Sequence, residues 1–371
     1  MQNYEVPEID EIQLSKIEDV NISAAGFIGY ASRGPIEGQP TRLTSISQFT
    51  RIYGEPLGTD FEYRFLYYAV EMFFYNGGDV CYVMRVEGEP NPDTFLGTYK
   101  PDGHSTGLAA FQDIEEVTQL IMPGVTIPTV LDGLIAYCEK RNCFAIIDAP
   151  VDMKTAADLL TYRNHFDSSN AAIYHPWLLM FDHLLKKYNY MPPSGAIAGI
   201  YALTDNTRGF YKAPANETIR NCTDLSVSFN AADQDKLNPK GINLIRAFPR
   251  RGCLVWGART MSSQSDFKYI NIQRLLIYLQ KVIRKFTKWA LHLPNDEQLW
   301  QRLTSTIQLF LTEVWHNGAL TGASPGEAFY VMIGRSTMTD DDIQNGRIVI
   351  QIGVAPMRPG EFIIFQITLQ Q

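Results

Sequence analysis

The sequence predicts an α/β body followed by a C-terminal α+β unit, with extended segments at both ends of the chain. Three observations carry this. Short apolar runs alternate with helical stripes across residues 24–176, the order expected of strands and helices stacked in layers. Two long amphipathic stripes then fill residues 274–316. Finally, strict alternation closes the chain: Ile363, Phe365, Ile367 and Leu369 lie on one side, and Ile364, Gln366, Thr368 and Gln370 on the other.

Taken in order, residues 1–22 read as an extended arm. Pro7 forbids a helix interior, and Ile12, Leu14 and Ile17 lie among acids without a helical stripe. Residues 23–100 form the first α/β part. Phe27-Ile-Gly29 is a buried strand, residues 61–74 an aromatic-rich helix stopped by Gly77-Gly78, and residues 80–86 the next strand. Prolines and glycines crowd residues 87–107, so the boundary to a second part, 101–262, is expected there. That part continues with a helix over 130–140, a buried strand over 143–148, a helix near 154–163 and a strand near 172–176.

The last part covers residues 263–371. Leu275, Leu279, Val282, Phe286 and Trp289 recur at helical spacing, while Arg274, Lys281, Lys285 and Lys288, with Arg284 beside them, mark a basic face. Leu299, Leu303, Ile307, Phe310 and Val314 make a second stripe that stops at Asn317-Gly318, and the two helices are expected to pack antiparallel. Ser324-Pro-Gly-Glu327 has capping-box spacing with Pro at the first helical position. Two strands, 347–352 and 361–369, flank the rigid Pro356-Met-Arg-Pro359.

Composition bounds the function. A chain of 371 residues with 45% hydrophobic content supports more than one packed unit. Five cysteines without a Cys-x-x-Cys pair argue against a disulfide framework and a structural zinc site, and fit assembly in a reducing cytoplasm. The acidic start and the lack of a run of about 18 apolar residues argue against a secretory signal and membrane insertion. A net charge of −8 disfavours nucleic acid as a partner of the whole surface.

Chemistry-bearing motifs are missing. There is no phosphate-cradling Gly-x-x-x-x-Gly-Lys-Ser/Thr and no Gly-x-Ser-x-Gly elbow, and none of the six histidines stands in a recognisable motif with a serine. Asp148, at the carboxyl end of a buried strand, stands where nucleotide-binding folds place a metal-binding acid; the plainer reading is a loop or helix-capping acid. Trp177, His175, His183, Tyr188 and Tyr190 read as a packed aromatic region or a histidine metal site. No cofactor is expected, and an α/β hydrolase would need a nucleophile and base that the motifs do not supply.

Three runs carry a family resemblance: Arg208-Gly-Phe-Tyr-Lys-Ala-Pro-Ala-Asn216, Leu237-Asn-Pro-Lys-Gly-Ile-Asn-Leu-Ile-Arg246 and Gly252-Cys-Leu-Val-Trp-Gly-Ala-Arg-Thr260. With Ala24-Ala-Gly-Phe-Ile-Gly-Tyr-Ala-Ser-Arg-Gly-Pro35, Phe73-Phe-Tyr-Asn-Gly-Gly78, Leu293-Pro-Asn-Asp-Glu297, Trp315-His-Asn-Gly-Ala-Leu320 and Gly353-Val-Ala-Pro-Met-Arg-Pro359, they fall in one family's order. The chain resembles the contractile tail sheath proteins of phages, R-type bacteriocins and related injection machines.

The resemblance implies a sheath-type fold with a subtilisin-like central domain lacking catalysis. It implies helical self-assembly around an inner tube, baseplate and terminator partners, and a place in a phage tail or tail-like particle assembled in the bacterial cytoplasm. Terminal strands that complete neighbours' sheets are implied too: Val6, Ile9, Ile12 and Leu14 at one end, Phe365, Ile367 and Leu369 at the other, with exchange favoured for residues 366–371. For the basic face of Arg274, Lys281, Arg284, Lys285 and Lys288, solvation, an acidic neighbouring subunit and an acidic tube are the open readings. A tube-touching helix is implied, with Phe310, Glu313, Trp315, His316 and Leu320 as its candidates; Glu313 and His316 depart from the basic residues common in the family there. A non-contractile structural or baseplate protein is the remaining alternative.

Overall fold

The computed structural model describes residues 24–56, 64–357 and 363–370, and the described residues divide into two compact units at 274/275. The four-residue strip of expected arm side chains Val6, Ile9, Ile12 and Leu14 lies outside the described residues.

The body is built on one eight-stranded sheet. Its strands are β1 (Ala24–Tyr30), β2 (Thr41–Leu43), β3 (Cys81–Val86), β4 (Val117–Ile121), β5 (Phe144–Asp148), β6 (Ala171–His175), β10 (Ile242–Phe248) and β11 (Gly252–Val255), in the order β11-β10-β6-β5-β4-β1-β3-β2. Three more strands, β7 (Leu178–Asp182), β8 (Lys187–Met191) and β9 (Asp224–Leu225), form a small antiparallel sheet. The six central strands of the large sheet run parallel, and only β11 and β2 at the edges are antiparallel. Strands buried on both faces need unbroken apolar runs rather than alternation, and β1, β4 and β5 are buried at every residue.

Because β1 lies between β4 and β3, a domain boundary at residue 100 would cut a single sheet in two. The proline- and glycine-rich stretch 87–107 is therefore a crossover inside one unit, and it holds a short helix, Pro92–Leu96, capped by Asn91. The two compact units part at 274/275, inside the long helix that follows the expected boundary at 262/263.

The body's main helices are α1 (Ile46–Tyr53), α2 (Phe65–Tyr75), α3 (Pro128–Arg141), α4 (Ala156–Arg163), α5 (Ser194–Arg208) and α6 (Ala231–Leu237). Local signals set several of their ends. Thr155 and Asp158 close a capping box on α4, Asn230 and Asp233 one on α6, and Gly54, at φ 81°, ends α1. One core layer joins Ile28, Met84, Leu120, Leu134, Ala145, Ile173 and Leu244. Elsewhere α5 lies against α2 because of two glycines. A Cβ on Gly195 would stand 2.3 Å from the Ala69 carbonyl oxygen, and one on Gly199 2.4 Å from that of Phe73.

The second unit contains the long helix that starts in the body, α7 (Ile270–Phe286), then α8 (Glu297–His316), and the antiparallel sheet β12 (Phe329–Ile333), β13 (Arg347–Val354), β14 (Ile363–Gln370) in that order. Asp296 caps α8 by accepting from the Leu299 N–H at 2.9 Å. Tyr278 and Phe286 of α7 both meet Phe310, and the Arg302 guanidinium stacks 4.4 Å over the Trp289 ring. Arg302, early in α8, thus meets Trp289 just past the end of α7, while Tyr278, further back, meets Phe310, further on, which is an antiparallel order. The Ser324 box is not formed: Glu327 reaches past Ser324 to accept from the Ala323 N–H at 2.9 Å, although Pro325–Ala328 is helical.

Candidate functional site

The three runs that carry the resemblance converge on one edge of the body sheet. Asn243, fully buried in β10, donates from Nδ2 to the Arg259 carbonyl at 2.7 Å and accepts the Arg259 N–H on Oδ1 at 2.7 Å. It thereby ties the run 237–246 to the run 252–260. The loop 209–223 then extends that edge: the Asn216 N–H donates to Val255 O at 2.7 Å, the Val255 N–H to Glu217 O at 3.0 Å and the Ile219 N–H to Cys253 O at 2.8 Å. Asn216 itself sits at φ 61°, a conformation that asparagine tolerates better than most, and its Oδ1 accepts from the Arg251 guanidinium at 2.7 Å. These polar residues spend their hydrogen bonds on the backbone and on one another.

Asp148 is the capping acid of the plainer reading. Its carboxylate accepts the Ser194 N–H at 2.8 Å, the Ser194 hydroxyl at 2.7 Å and the Gly124 N–H at 2.9 Å, which seats it on the first turn of α5. Burial pushes its pKa up to about 6, and the hydrogen bonds from Gly124 and Ser194 offset part of that rise. The Ser194 hydroxyl thus donates to a carboxylate that also takes the Ser194 and Gly124 N–H groups, the arrangement of a helix cap. His175, buried, has its Nε2 2.9 Å from the Met153 carbonyl oxygen, and burial depresses its pKa to about 4. Among the described residues no cluster of His, Cys, Asp or Glu is arranged to hold a metal. The aromatic region expected around Trp177 splits: Trp177 is buried and donates from Nε1 to Ala149 O at 2.8 Å, whereas Tyr188 and Tyr190 are exposed on the hairpin β7–β8.

The basic face loses one member. Arg274 is buried in the body, pairs through both terminal nitrogens with the two Asp205 carboxylate oxygens, and stacks 4.5 Å over the Tyr201 ring. The start of α7 is enclosed on all sides, residues 272–277 being buried without exception, so no solvent face exists there. Beyond it Lys281 is half-buried, and Arg284, Lys285 and Lys288 are exposed.

The tube-facing set also divides. Phe310 (1% exposed) and Leu320 (4%) are core residues, which rules them out as surface contacts of this fold. Glu313 and His316 are exposed, and Trp315 is half-buried with its indole N–H donating to Gly322 O at 3.0 Å.

β14 pairs in full with the chain's own β13, from Val354↔Ile363 to Arg347↔Gln370, with Phe365, Ile367 and Leu369 buried beneath it. No break between residues 365 and 366 separates an internal part from an outgoing arm. The alternation itself is as expected, with Gln366, Thr368 and Gln370 exposed.

Residues 97–261 match the phage tail sheath protein central domain, and residues 262–370 match the phage tail sheath C-terminal domain. The fold is similar to the anti-feeding prophage baseplate structure (TM-score 0.78, 30% identity, 95% of this chain and 94% of the other). It is similar as well to the anti-feeding prophage helical sheath in its contracted state (TM-score 0.75, 30% identity, 93% of each chain). The chain belongs to the contractile tail sheath family. A prophage major tail sheath protein of Pseudomonas aeruginosa is 25% identical over 76% of this chain and 74% of its own length. The tail sheath protein of Vibrio phage KVP40 is 30% identical, but this chain spans only 27% of its length. The protein is thus a structural subunit of a contractile sheath, and the polar convergence at the β10–β11 edge is the part of the sheath fold that its recognisable runs build.

Proposed function

We propose that this subunit polymerises helically around an inner tube and, on contraction, drives the tube through a target envelope, with assembly in the bacterial cytoplasm. The observation that carries the reading is the likeness, over 93% of each chain, to a helical sheath in its contracted state. The subtilisin-like relation of the central domain belongs to this reading, supported by a parallel sheet covered by helices and stripped of a nucleophile–base pair. Baseplate and terminator proteins are its further partners, and the function requires neither cofactor nor catalysis.

Within the polymer, the register of β14 on β13 is one that a neighbour's C-terminal strand can adopt, and main-chain bonds of about 1 kcal/mol each make a tether that pivots without breaking. Residues 1–22 are the complementary arm in this proposal. Arg284, Lys285 and Lys288 are the remaining basic contacts, and Glu313 and His316 the remaining candidates toward the tube.

Electron microscopy of the purified chain, alone and with tube protein, tests the polymer: long regular tubes are expected, and monomers at every concentration would overturn it. Exchange is tested separately. Val349 and Thr368 are paired across β13 and β14, so a Val349→Cys/Thr368→Cys variant oxidised after assembly should give a ladder of linked chains on a denaturing gel. Linkage confined to single chains would show that the strand stays at home.

A further inference from the structure

Charge is segregated along this chain. Residues 208–259 hold nine Lys and Arg against four Asp and Glu, a balance of +5 inside a chain of −8, so the rest carries −13. Part of that excess stands at the β10–β11 edge. β10 pairs with β6 only over residues 242–244, and over 245–248 its partner is β11 alone, so residues 245–252 reach past the sheet as a two-stranded tongue. Ala247, Pro249, Arg250, Arg251 and Gly252 are exposed on it. The cations are held in place: the Arg246 guanidinium lies 5.2 Å over the Phe248 ring, which packs 4.5 Å from Trp256, and Arg251 Nη2 donates to Asn216 Oδ1 at 2.7 Å. Arg250, at φ 64°, makes the turn, and the Arg251 N–H closes it on the Phe248 carbonyl at 3.1 Å. Among the described residues no carboxylate pairs with Arg246, Arg250 or Arg251, and on the flanking loop Glu217 is taken by Arg208 at 2.8 Å.

We propose that this tongue docks on an acidic surface of a second copy of the chain, with Arg250 and Arg251 as its contacts. The inference rests on the helical polymer proposed above. Charge complementarity selects the occupant: each copy brings +5 in the segment that carries the tongue and −13 elsewhere, so a contact between the unlike parts offsets, at every repeat, the repulsion between chains of −8. A nucleic acid would instead meet the −13 of the same molecule. The guanidinium fork matches a carboxylate in two parallel bonds, and forks already held by stacking and by Asn216 lose little freedom on docking. Such a contact joins different surfaces of the two copies, the type that propagates into an open helix instead of closing a symmetric pair.

The test assembles a mixture of isotope-labelled and unlabelled full chains carrying Arg250→Lys/Arg251→Lys, then adds a carbodiimide, which joins an amine to a carboxyl group in contact with it. Peptides linking the introduced amines to an Asp or Glu of the oppositely labelled copy are expected in the polymer, and they should vanish at high salt. Arg250→Glu/Arg251→Glu should assemble at least about tenfold more slowly than the parent, with a melting temperature within about a degree or two of it. Arg250→Glu alone, which spares the bond from Arg251 to Asn216, should slow assembly in the same direction if the double variant folds poorly. Links confined to single chains, links made to added tube protein instead, or glutamate variants that assemble at the parent's rate would overturn the docking and leave the polymer standing. A parent that stays monomeric at every concentration would overturn both. Parent retained on DNA through Arg250 and Arg251, with assembly indifferent to their reversal, would reassign the tongue to nucleic acid.

Discussion

Two ion pairs of the body are buried, although it also has exposed ones such as Arg208–Glu217, whereas Arg335–Asp340 and Arg347–Asp342 of the C-terminal unit lie at its surface. Arg64 and Asp182 are 1% and 0% exposed, and Arg274 and Asp205 are 5% and 2% exposed. In the C-terminal unit Arg335 and Asp340 are 69% and 78% exposed, and Arg347 and Asp342 43% and 15%. The same residue types therefore have different jobs. A buried pair whose every donor is used fixes one arrangement of elements, since a stranded charge there is costly; an exposed pair contributes about 0–1 kcal/mol and leaves the surface free to meet another one.

The largest expected effect tests whether the C-terminal unit depends on apolar burial rather than charge. Deleting residues 366–371 removes Ile367 and Leu369, which are buried against β13. Each should cost about 1.5–3 kcal/mol, plus the ladder bonds lost with them. Denaturant unfolding followed in the isolated monomer should show the C-terminal unit melting earlier. Unfolding identical to the full chain would mean that the strand contributes nothing at home and belongs to a neighbour.

Next comes the buried pair. Asp182 accepts two bonds from Arg64 Nη2 at 2.8 and 2.7 Å and one from Nε at 3.1 Å, and it also takes the Leu184 and Leu185 N–H groups at the hairpin turn. Burial pushes its pKa up, but these bonds more than offset that and hold it below the ordinary carboxylate range. Asp182→Ala should cost about 3–5 kcal/mol, because the Arg64 guanidinium is left buried without its anion. A loss under about 1 kcal/mol, on the scale of an exposed pair, would erase the contrast between the two units.

Much of this was legible in the sequence, for reasons that also explain the misses. Apolar runs over 24–30 and 143–148 could be read because a strand buried on both faces has no other pattern, and the α8 stripe could be read because it is amphipathic throughout. Arg274 could not. It shares helical spacing with Lys281 and Lys285, and what buries it is Asp205, 69 residues earlier, a partner that no local periodicity reports. The hairpin β7–β8 left a signal that went unused: Leu178 and Met180 alternate inward, and Tyr188 and Tyr190 alternate outward around Lys186, which holds φ 51° at the turn. Phe310 fits both an apolar stripe and a tube contact by spacing alone; in the structure it is 1% exposed and belongs to the stripe. Asp148 reads as a capping acid from its place at a strand end, but the helix it caps is α5, whose Ser194 lies 46 residues on, and not the following α4.

A smaller effect separates the inner charges by titration. Asp148 has its pKa raised to about 6 against an ordinary 3.8. A carboxyl with a raised folded pKa favours folding most when protonated in both states, so its contribution is fully present below about 3.8 and is lost as pH rises through about 6. Compared with Asp148→Asn, which cannot ionise, the parent should therefore gain stability as pH falls from 7 to 4, by about 3 kcal/mol at most. A difference between the two proteins that is flat with pH would mean that the three donors already neutralise the cost of burying the charge.

The smallest effect on stability should carry the largest effect on assembly. Arg284 and Lys285 project from the last turns of α7 at exposed positions, where reversing a charge changes folding by no more than about 0.5 kcal/mol. Arg284→Glu/Lys285→Glu should accordingly melt within about a degree or two of the parent. If this face meets acid on a neighbour or on the tube, like charges would then oppose each other at every repeat of the polymer, slowing assembly and making what remains depend on salt. Light scattering over a salt series, on protein whose melting curve has first been matched to the parent, reads the two quantities apart. Assembly curves that coincide with the parent at low and high salt would assign this face to solvent. In the body the corresponding change, Arg274→Glu, should fail in the opposite way, collapsing the fold around Asp205 and Tyr201 before any polymer can be assayed.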